Sequence, residues 1–155
     1  EIGHVRVHGN DLPCRCGQIG CLETLASAQA VVRRYQELSK EAQLVSLDEV
    51  EKRLEAGDGI ARQVVLEAGC SLGEFIGFLS ATLNIQEIIL TGDMTRFGEP
   101  WLNAVRQAML QSALERLTQN AQLEVGELDY RACILGAAAH FLMDSYALLF
   151  RQAES

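Results

Sequence analysis

Ile85-Gln86-Glu87-Ile88-Ile89-Leu90-Thr91, closed by Gly92, decides the fold class. A short apolar run rich in β-branched residues and ended by glycine reads as a buried strand. Just before it, residues 58–83 place Ile60, Val64, Val65, Ala68, Leu72, Phe75, Ile76 and Leu79 at helical spacing. That predicts one long helix, with Gly69, Gly73 and Gly77 lining one face and permitting close backbone approach. A long helix running into a buried strand is the grammar of an α/β fold.

The same reading extends in both directions. Downstream, residues 100–119 predict a helix with Pro100 at its start, where a missing N–H does no harm. Residues 122–127 alternate as a strand, and residues 131–150 read as an apolar closing helix. Upstream, Ser46 with Glu49 three residues later has the capping-box pattern, for a helix that stops at Gly57. Leu25, Ala28, Val32 and Tyr35 form a stripe on a predicted helix over residues 22–38. Residues 1–7 alternate as a half-buried strand, with Ile2, His4, Arg6 and His8 on one face and Val5 and Val7 on the other. The expected organisation is a single domain over residues 1–155. It comprises a polar motif (1–23), a helical segment (24–83) and a strand-helix-strand-helix segment (84–150).

Composition narrows the function. The chain of 155 residues carries a formal charge of −8, with 13 Lys and Arg against 21 Asp and Glu. Phosphate backbones must be met by clustered cations, so this segment is not expected to hold a nucleic-acid surface, and Arg33-Arg34 reads as a solvated face. No stretch reaches the roughly 18 uninterrupted apolar residues of a membrane span, so no membrane partner is expected. Cys70 and Cys133 sit on apolar helical stretches and read as inert core residues. Trp101 reads as a buried contact near a helix start, and His140 as a packed helix residue.

The chemistry concentrates in residues 1–23. Cys14, Cys16 and Cys21 lie within eight positions, with His4 upstream. Three thiolates and one imidazole are the donor set of a closed tetrahedral zinc site, and closely spaced Cys with His indicate a reduced, cytoplasmic compartment. Gly17 and Gly20 let the loop turn tightly enough for the sulfurs to converge. His8 is the competing fourth ligand by spacing. Four protein ligands leave no position for an activated water, so the zinc is expected to be structural. An imidazole with one nitrogen on the metal must be a donor at the other.

Glu1-Ile2-Gly3-His4 resembles an E-x-G-H motif, and Cys14-Arg15-Cys16-Gly17-Gln18-Ile19-Gly20-Cys21-Leu22-Glu23 resembles C-x-C-G-x-x-G-C-x-E. Both are motifs of the ROK family (repressors, open reading frames, sugar kinases). The interval between them favours His4 over His8 as the ligand. Leu83-Asn84 and the segment Ile134-Leu135-Gly136-Ala137-Ala138 also look like the family's carboxyl-terminal half. The resemblance implies an actin-like, hexokinase-type (ribonuclease H-like) α/β fold with a zinc-binding loop. It further implies that Glu1, His4 and Glu23 bind sugar hydroxyls, while His4, Cys14, Cys16 and Cys21 hold zinc. Without it, Glu23 could simply favour the positive end of the following helix.

Within that family the choice lies between sugar-responsive repressor and ATP-dependent sugar kinase. Kinases commonly show paired glycines after the strand at 85–91. Here the turn is Thr91-Gly92-Asp93-Met94, which puts a carboxylate where phosphates would sit. Residues 127–131 and 146–151 also resemble the repressors. The favoured expectation is the effector-binding and oligomerisation region of a sugar-responsive transcriptional regulator. Its ligand would be a sugar or sugar phosphate, DNA would be read by a separate amino-terminal segment, and a homo-oligomer is expected. No catalytic residue is assigned. A glucokinase- or fructokinase-like enzyme using ATP is the alternative, and a zinc-stabilised oligomerisation domain without a ligand is the third.

Overall fold

The computed structural model describes residues 1–112, 121–126 and 134–143. The helices are α1 (Glu23–Ala26), α2 (Ala28–Ser39), α3 (Leu47–Glu55), α4 (Gly59–Leu83), α5 (Gly98–Gln111) and α6 (Ile134–Met143). Strand β1 (Glu87–Leu90) follows α4, and β2 (Gln122–Val125) follows α5. The two strands pair in parallel, Glu87 opposite Gln122 through Leu90 opposite Val125. Parallel strands joined by a crossover helix make this an α/β arrangement, as expected.

The packing of α4 against α5 organises the rest. Both backbones come so close that side chains on the glycine face of α4 would collide. A Cβ at Gly73 would lie 2.2 Å from the Val105 carbonyl oxygen. One at Gly77 would lie 2.6 Å from the Met109 carbonyl oxygen, and one at Gly69 2.9 Å from Ala104 Cβ. Around this seam Val64, Val65, Trp101, Val105 and Met109 are buried, and Val31, Tyr35 and Val50 extend the same core to α2 and α3. Helix α4 is apolar and long enough to cross a membrane by length and composition. However, 44% of its most apolar window is buried inside the protein, and the glycine seam against α5 accounts for its composition.

Capping chemistry sets the helix boundaries. Ser46 Oγ accepts from Glu49 N–H at 3.2 Å and starts α3 as expected. Gly57 adopts φ +84° and ends that segment. Asp58 Oδ1 accepts from Ala61 N–H at 2.8 Å to start α4. Arg53 clamps the α2–α3 corner. It donates to the Tyr35 hydroxyl at 2.6 Å, to Glu49 at 2.9 Å and to Glu41. The Arg53 guanidinium holds the Glu41 carboxyl below its ordinary pKa.

Several expectations are corrected. The helix over residues 22–38 is broken at Ser27, which is extended (φ −82°, ψ 163°) and caps α2 by accepting from Ala30 N–H at 3.1 Å. That break turns the buried face to Ala30, Val31 and Tyr35 rather than Leu25 and Ala28. The strand over residues 1–7 is absent. Ile2–His4 forms a 3-10 turn in which Val5 N–H donates to the Ile2 carbonyl, and only Arg6 bridges, to Cys21. Ile2 and Val5 are exposed, so the alternation has no apolar layer to pack on. The strand at 85–91 contracts to β1 and is buried on one face only. Ile88 and Leu90 pack on the core while Ile89 is 67% exposed.

Helix α5 begins at Gly98, two residues before Pro100. The remainder of the expected helix over 100–119, residues 113–119, lies outside the described residues. In α6, Ile134, Leu135, Phe141, Leu142 and Met143 are all exposed. His140, expected to be packed, is exposed. Cys70 faces outward from α4 rather than into the core. Partial burial and the charges of Glu74 and Glu67 raise its thiol pKa. Cys133 and residues 127–131 and 146–151 lie outside the described residues. Trp101 is buried as expected.

The seam yields a direct test. Gly73→Ala is expected to lower stability by at least about 2 kcal/mol, because the methyl collides with backbone that cannot retreat. Gly59→Ala, with nothing within 4 Å of its Cβ, should stay within about 0.5 kcal/mol of wild type in the same denaturant titration.

Candidate functional site

The loop from Asn10 to Glu23 is folded by its own backbone. Cys14 N–H donates to the Gln18 carbonyl at 2.8 Å, and Gly17 N–H donates to the Cys14 carbonyl at 3.0 Å. These bonds close a tight turn around Gly17, which adopts φ +89°. Val7 N–H and Leu22 N–H tie the loop to the first segment, through the Gly20 and Val5 carbonyls at 2.7 and 2.9 Å. Gly20, at φ +85°, also passes so close to Asn10 that a Cβ would sit 2.4 Å from its carbonyl oxygen.

These constraints bring four side chains together. The ligand atoms of His4, Cys14, Cys16 and Cys21 all lie within 4.8 Å of one another. Cys14 Sγ is 3.7 Å from His4 Nδ1, and Cys16 Sγ is 3.6 Å from Cys21 Sγ. Zinc–sulfur bonds of about 2.3 Å in a tetrahedron separate sulfurs by about 3.8 Å, so the cluster matches that spacing. His8 is not part of it. Burial and the neighbouring Cys16 and Cys14 push the Cys21 thiol up to about 12. The Gln18 backbone holds the Cys16 thiol below its ordinary value. Three thiols this close cannot all ionise without a cation among them.

The other ring nitrogen of His4 faces away from the sulfurs. Nε2 lies 3.6 Å from Glu1 Oε2 and 3.6 Å from Glu23 Oε2. Both separations exceed a hydrogen bond, so the three groups border one spot without closing it. Glu23 opens α1 and is 21% exposed, whereas Glu1 is 87% exposed. The expected trio Glu1, His4 and Glu23 is thus brought together, with His4 shared between it and the cysteine cluster.

Sequence reasoning missed the supports. Asn10 Nδ2 donates to the Cys21 carbonyl at 3.1 Å and to Thr24 Oγ1 at 2.9 Å, joining the loop to α1. Arg15 Nη2 lies 2.8 Å from Glu23 Oε1. Arg33, expected on a solvated face, donates from Nη2 to the Thr24 carbonyl at 2.7 Å. Arg34 is somewhat more exposed than Arg33 and meets Glu37 and Glu67. Apart from the Arg34–Glu37 pair, three residues apart on α2, none of these partners is legible from spacing. The turn after β1 is also distinct. Gly92 adopts φ +99° and Asp93 opens the 3-10 turn Asp93–Phe97 with its side chain exposed. Arg96 ties that turn to Asp48 and Glu51 of α3, at 2.8 and 3.0 Å.

A model of the ROK family matches residues 1–143. The chain belongs to the ROK family. It is 32% identical over 141 residues to the N-acetylglucosamine repressor of Escherichia coli O6:H1, covering 86% of this chain and 35% of the repressor. It is also 32% identical over 149 residues to a glucokinase of Halalkalibacterium halodurans, covering 88% of this chain and 45% of the glucokinase. Among solved structures it resembles a ROK glucokinase from Streptomyces griseus in complex with glucose and AMPPNP. The TM-score is 0.80 at 23% identity, over 90% of this chain and 50% of that one. That likeness shows the α/β fold of the family's sugar kinases. The chain therefore spans about a third to a half of its ROK relatives, which include both repressors and kinases.

Gly20→Ala is expected to open the ROK loop, because the added methyl meets backbone at a position that also disfavours its φ. Titration with a thiol-reactive disulfide should find Cys14 and Cys21, buried in the wild type, reacting nearly as fast as exposed Cys16. Unchanged protection would show that the loop accommodates the methyl.

Proposed function

We propose that this chain is the sugar-sensing part of a transcriptional regulator, one domain over residues 1–155 that completes its DNA-reading function with a segment outside this sequence. The carrying observation is His4, whose Nδ1 faces three cysteines while its Nε2 faces two carboxylates. Zinc held by His4, Cys14, Cys16 and Cys21 would fix the ring and leave the proton on Nε2. Glu1 and Glu23 then accept from adjacent sugar hydroxyls while His4 donates to one of them. Such charge-assisted bonds are the strong ones. Zinc supplies structure and imidazole orientation here, with all four positions filled by protein.

The regulator reading rests on Asp93. Its exposed carboxylate stands in the turn after β1, where an approaching polyphosphate would meet like charge. The repressor relatives favour the same reading, and by analogy sugar binding would shift the balance between arrangements of the DNA-reading segments. The exposed apolar side chains of α6 support an oligomeric parent, since a large uncovered apolar surface is normally buried by a partner or another domain. The cluster of unbridged Cys14, Cys16 and Cys21 fits a reducing cytoplasm. The kinase reading keeps one support, the glucokinase relative, and would make ATP a second ligand.

Metal content decides the first part. Cys16→Ser is expected to lose most bound zinc while His8→Ala keeps it, measured by metal analysis of purified protein. Equal zinc in wild type and Cys16→Ser would remove the metal claim.

Ligand response decides the second. In the full-length protein, glucose or N-acetylglucosamine, or a 6-phosphate of either, should raise the melting temperature and alter operator binding without consuming ATP. Sugar-dependent ATP turnover would establish the kinase instead. No thermal response to any of the four would sink the sugar-binding reading.

A further inference from the structure

Arg15 occupies the variable position of Cys14-Arg15-Cys16, between two of the clustered cysteines, and its role is set by geometry rather than by the motif. Its Nη2 lies 2.8 Å from Glu23 Oε1, while the other oxygen of the same carboxylate lies 3.6 Å from His4 Nε2. Glu23 is therefore held at one oxygen by the loop and presents the other beside the imidazole. A carboxylate at the start of the short helix α1 has rotamer freedom that its own backbone does not remove. Gly3 packs over its stem, with a Cβ there placed 3.6 Å from Glu23 Cβ. Only Arg15 and His4 pair with its oxygens among the described residues.

The structure assigns Arg15 as a positioning residue: we infer that it orients the Glu23 carboxylate for sugar hydroxyls and so couples the state of the cysteine loop to sugar affinity. The inference rests on the sugar-binding reading of Glu1, His4 and Glu23. The coupling follows from connectivity. Arg15 is flanked on both sides by cysteines of the cluster, so whatever fixes Cys14 and Cys16 also fixes the base of the Arg15 side chain. An ordered loop delivers the guanidinium to Glu23 at little entropy cost, whereas a loose loop must order a long side chain first. The ion pair itself adds little to stability, because Arg15 is 71% exposed. Its effect lies in orientation: a carboxylate preset toward the ligand does not have to be ordered on binding. Half-buried Glu23 also has an alternative without Arg15, which is to swing toward His4 Nε2 and occupy the donor meant for the ligand.

The test uses the full-length protein loaded with zinc and titrated calorimetrically with glucose and with N-acetylglucosamine. Arg15→Ala is expected to keep its zinc and to bind the sugar about tenfold more weakly, the loss of one charge-assisted contact's alignment. Arg15→Lys should recover part of that loss. In a Glu23→Ala background, removing Arg15 should cost nothing further, because its partner is already gone. Zinc-replete Arg15→Ala with wild-type affinity would overturn the inference while leaving the sugar site standing. So would an undiminished loss in the Glu23→Ala background, which would place Arg15 on the ligand directly. Loss of zinc from Arg15→Ala would overturn it too, by making Arg15 a support of the metal loop. Failure of the wild type to bind either sugar would overturn both the inference and the sugar-binding reading.

Discussion

The approach of α4 to α5 is the constraint on which everything else depends. Gly73 admits no Cβ at 2.2 Å from the Val105 carbonyl oxygen, and that distance sets where both helices lie. Strand β1 leaves the end of α4 and β2 follows α5 in the chain, so the parallel register of the sheet is inherited from the helix pair. Helices α1 and α2 rest on the opposite side of α4, with Arg34 reaching Glu67 at 3.3 Å. The cysteine loop in turn hangs from α1 through Asn10, Thr24 and Glu23. A seam of three small residues thus positions a polar site that it never touches.

The site shows how little apolar burial a functional loop needs when its backbone bonds are satisfied. Cys14, Gly20, Cys21 and Leu22 are buried, while Arg15, Cys16, Gly17, Gln18 and Ile19 between them are exposed. Hydrogen bonds from Cys14 to Gln18 and from Gly20 to Leu12 replace the packing that a core would supply. What remains unresolved by protein alone is charge. Three thiols and an imidazole within 4.8 Å compete to stay neutral, and desolvation drives the Cys21 pKa far above that of a free thiol. A divalent cation would settle that competition, because it would make thiolate the favoured form of every sulfur at once.

Legibility in the sequence followed the range of the interactions. Capping at Ser46 and the stop at Gly57 depend on neighbours within one turn. The glycine face of α4 and the Cys/His spacing are regular enough to read as patterns, and each of the four appears in the structure as expected. The break at Ser27 was hidden because serine, favoured at a helix start, is also tolerated inside one. Ala30 three residues on leaves Ser27 without the capping-box glutamate that marks Ser46. The alternation over residues 1–7 was misleading for a different reason. A period of two is meaningful only when a layer exists to bury one face, and Ile2 and Val5 have none among the described residues. Cys70 was misassigned because α4 is apolar nearly all round, so composition cannot tell which side faces α5. Arg15 and Asn10 were invisible, since their partners are fixed by tertiary packing.

Repressor and kinase relatives match this chain at the same 32% identity. In the proposed reading Glu1, His4 and Glu23 would offer two acceptors and one oriented donor, a set that any sugar with neighbouring hydroxyls can satisfy. In that reading such a set would recognise that a ligand is a sugar and would say little about which one. Identity of 32% to both a repressor and a glucokinase is what a shared hydroxyl-reading segment would produce. Discrimination between sugars, and between sensing and phosphorylating them, would in that reading come from groups outside this trio. In the same reading the exposed Asp93 in the turn after β1 would cost a sensor nothing and would work against a polyphosphate.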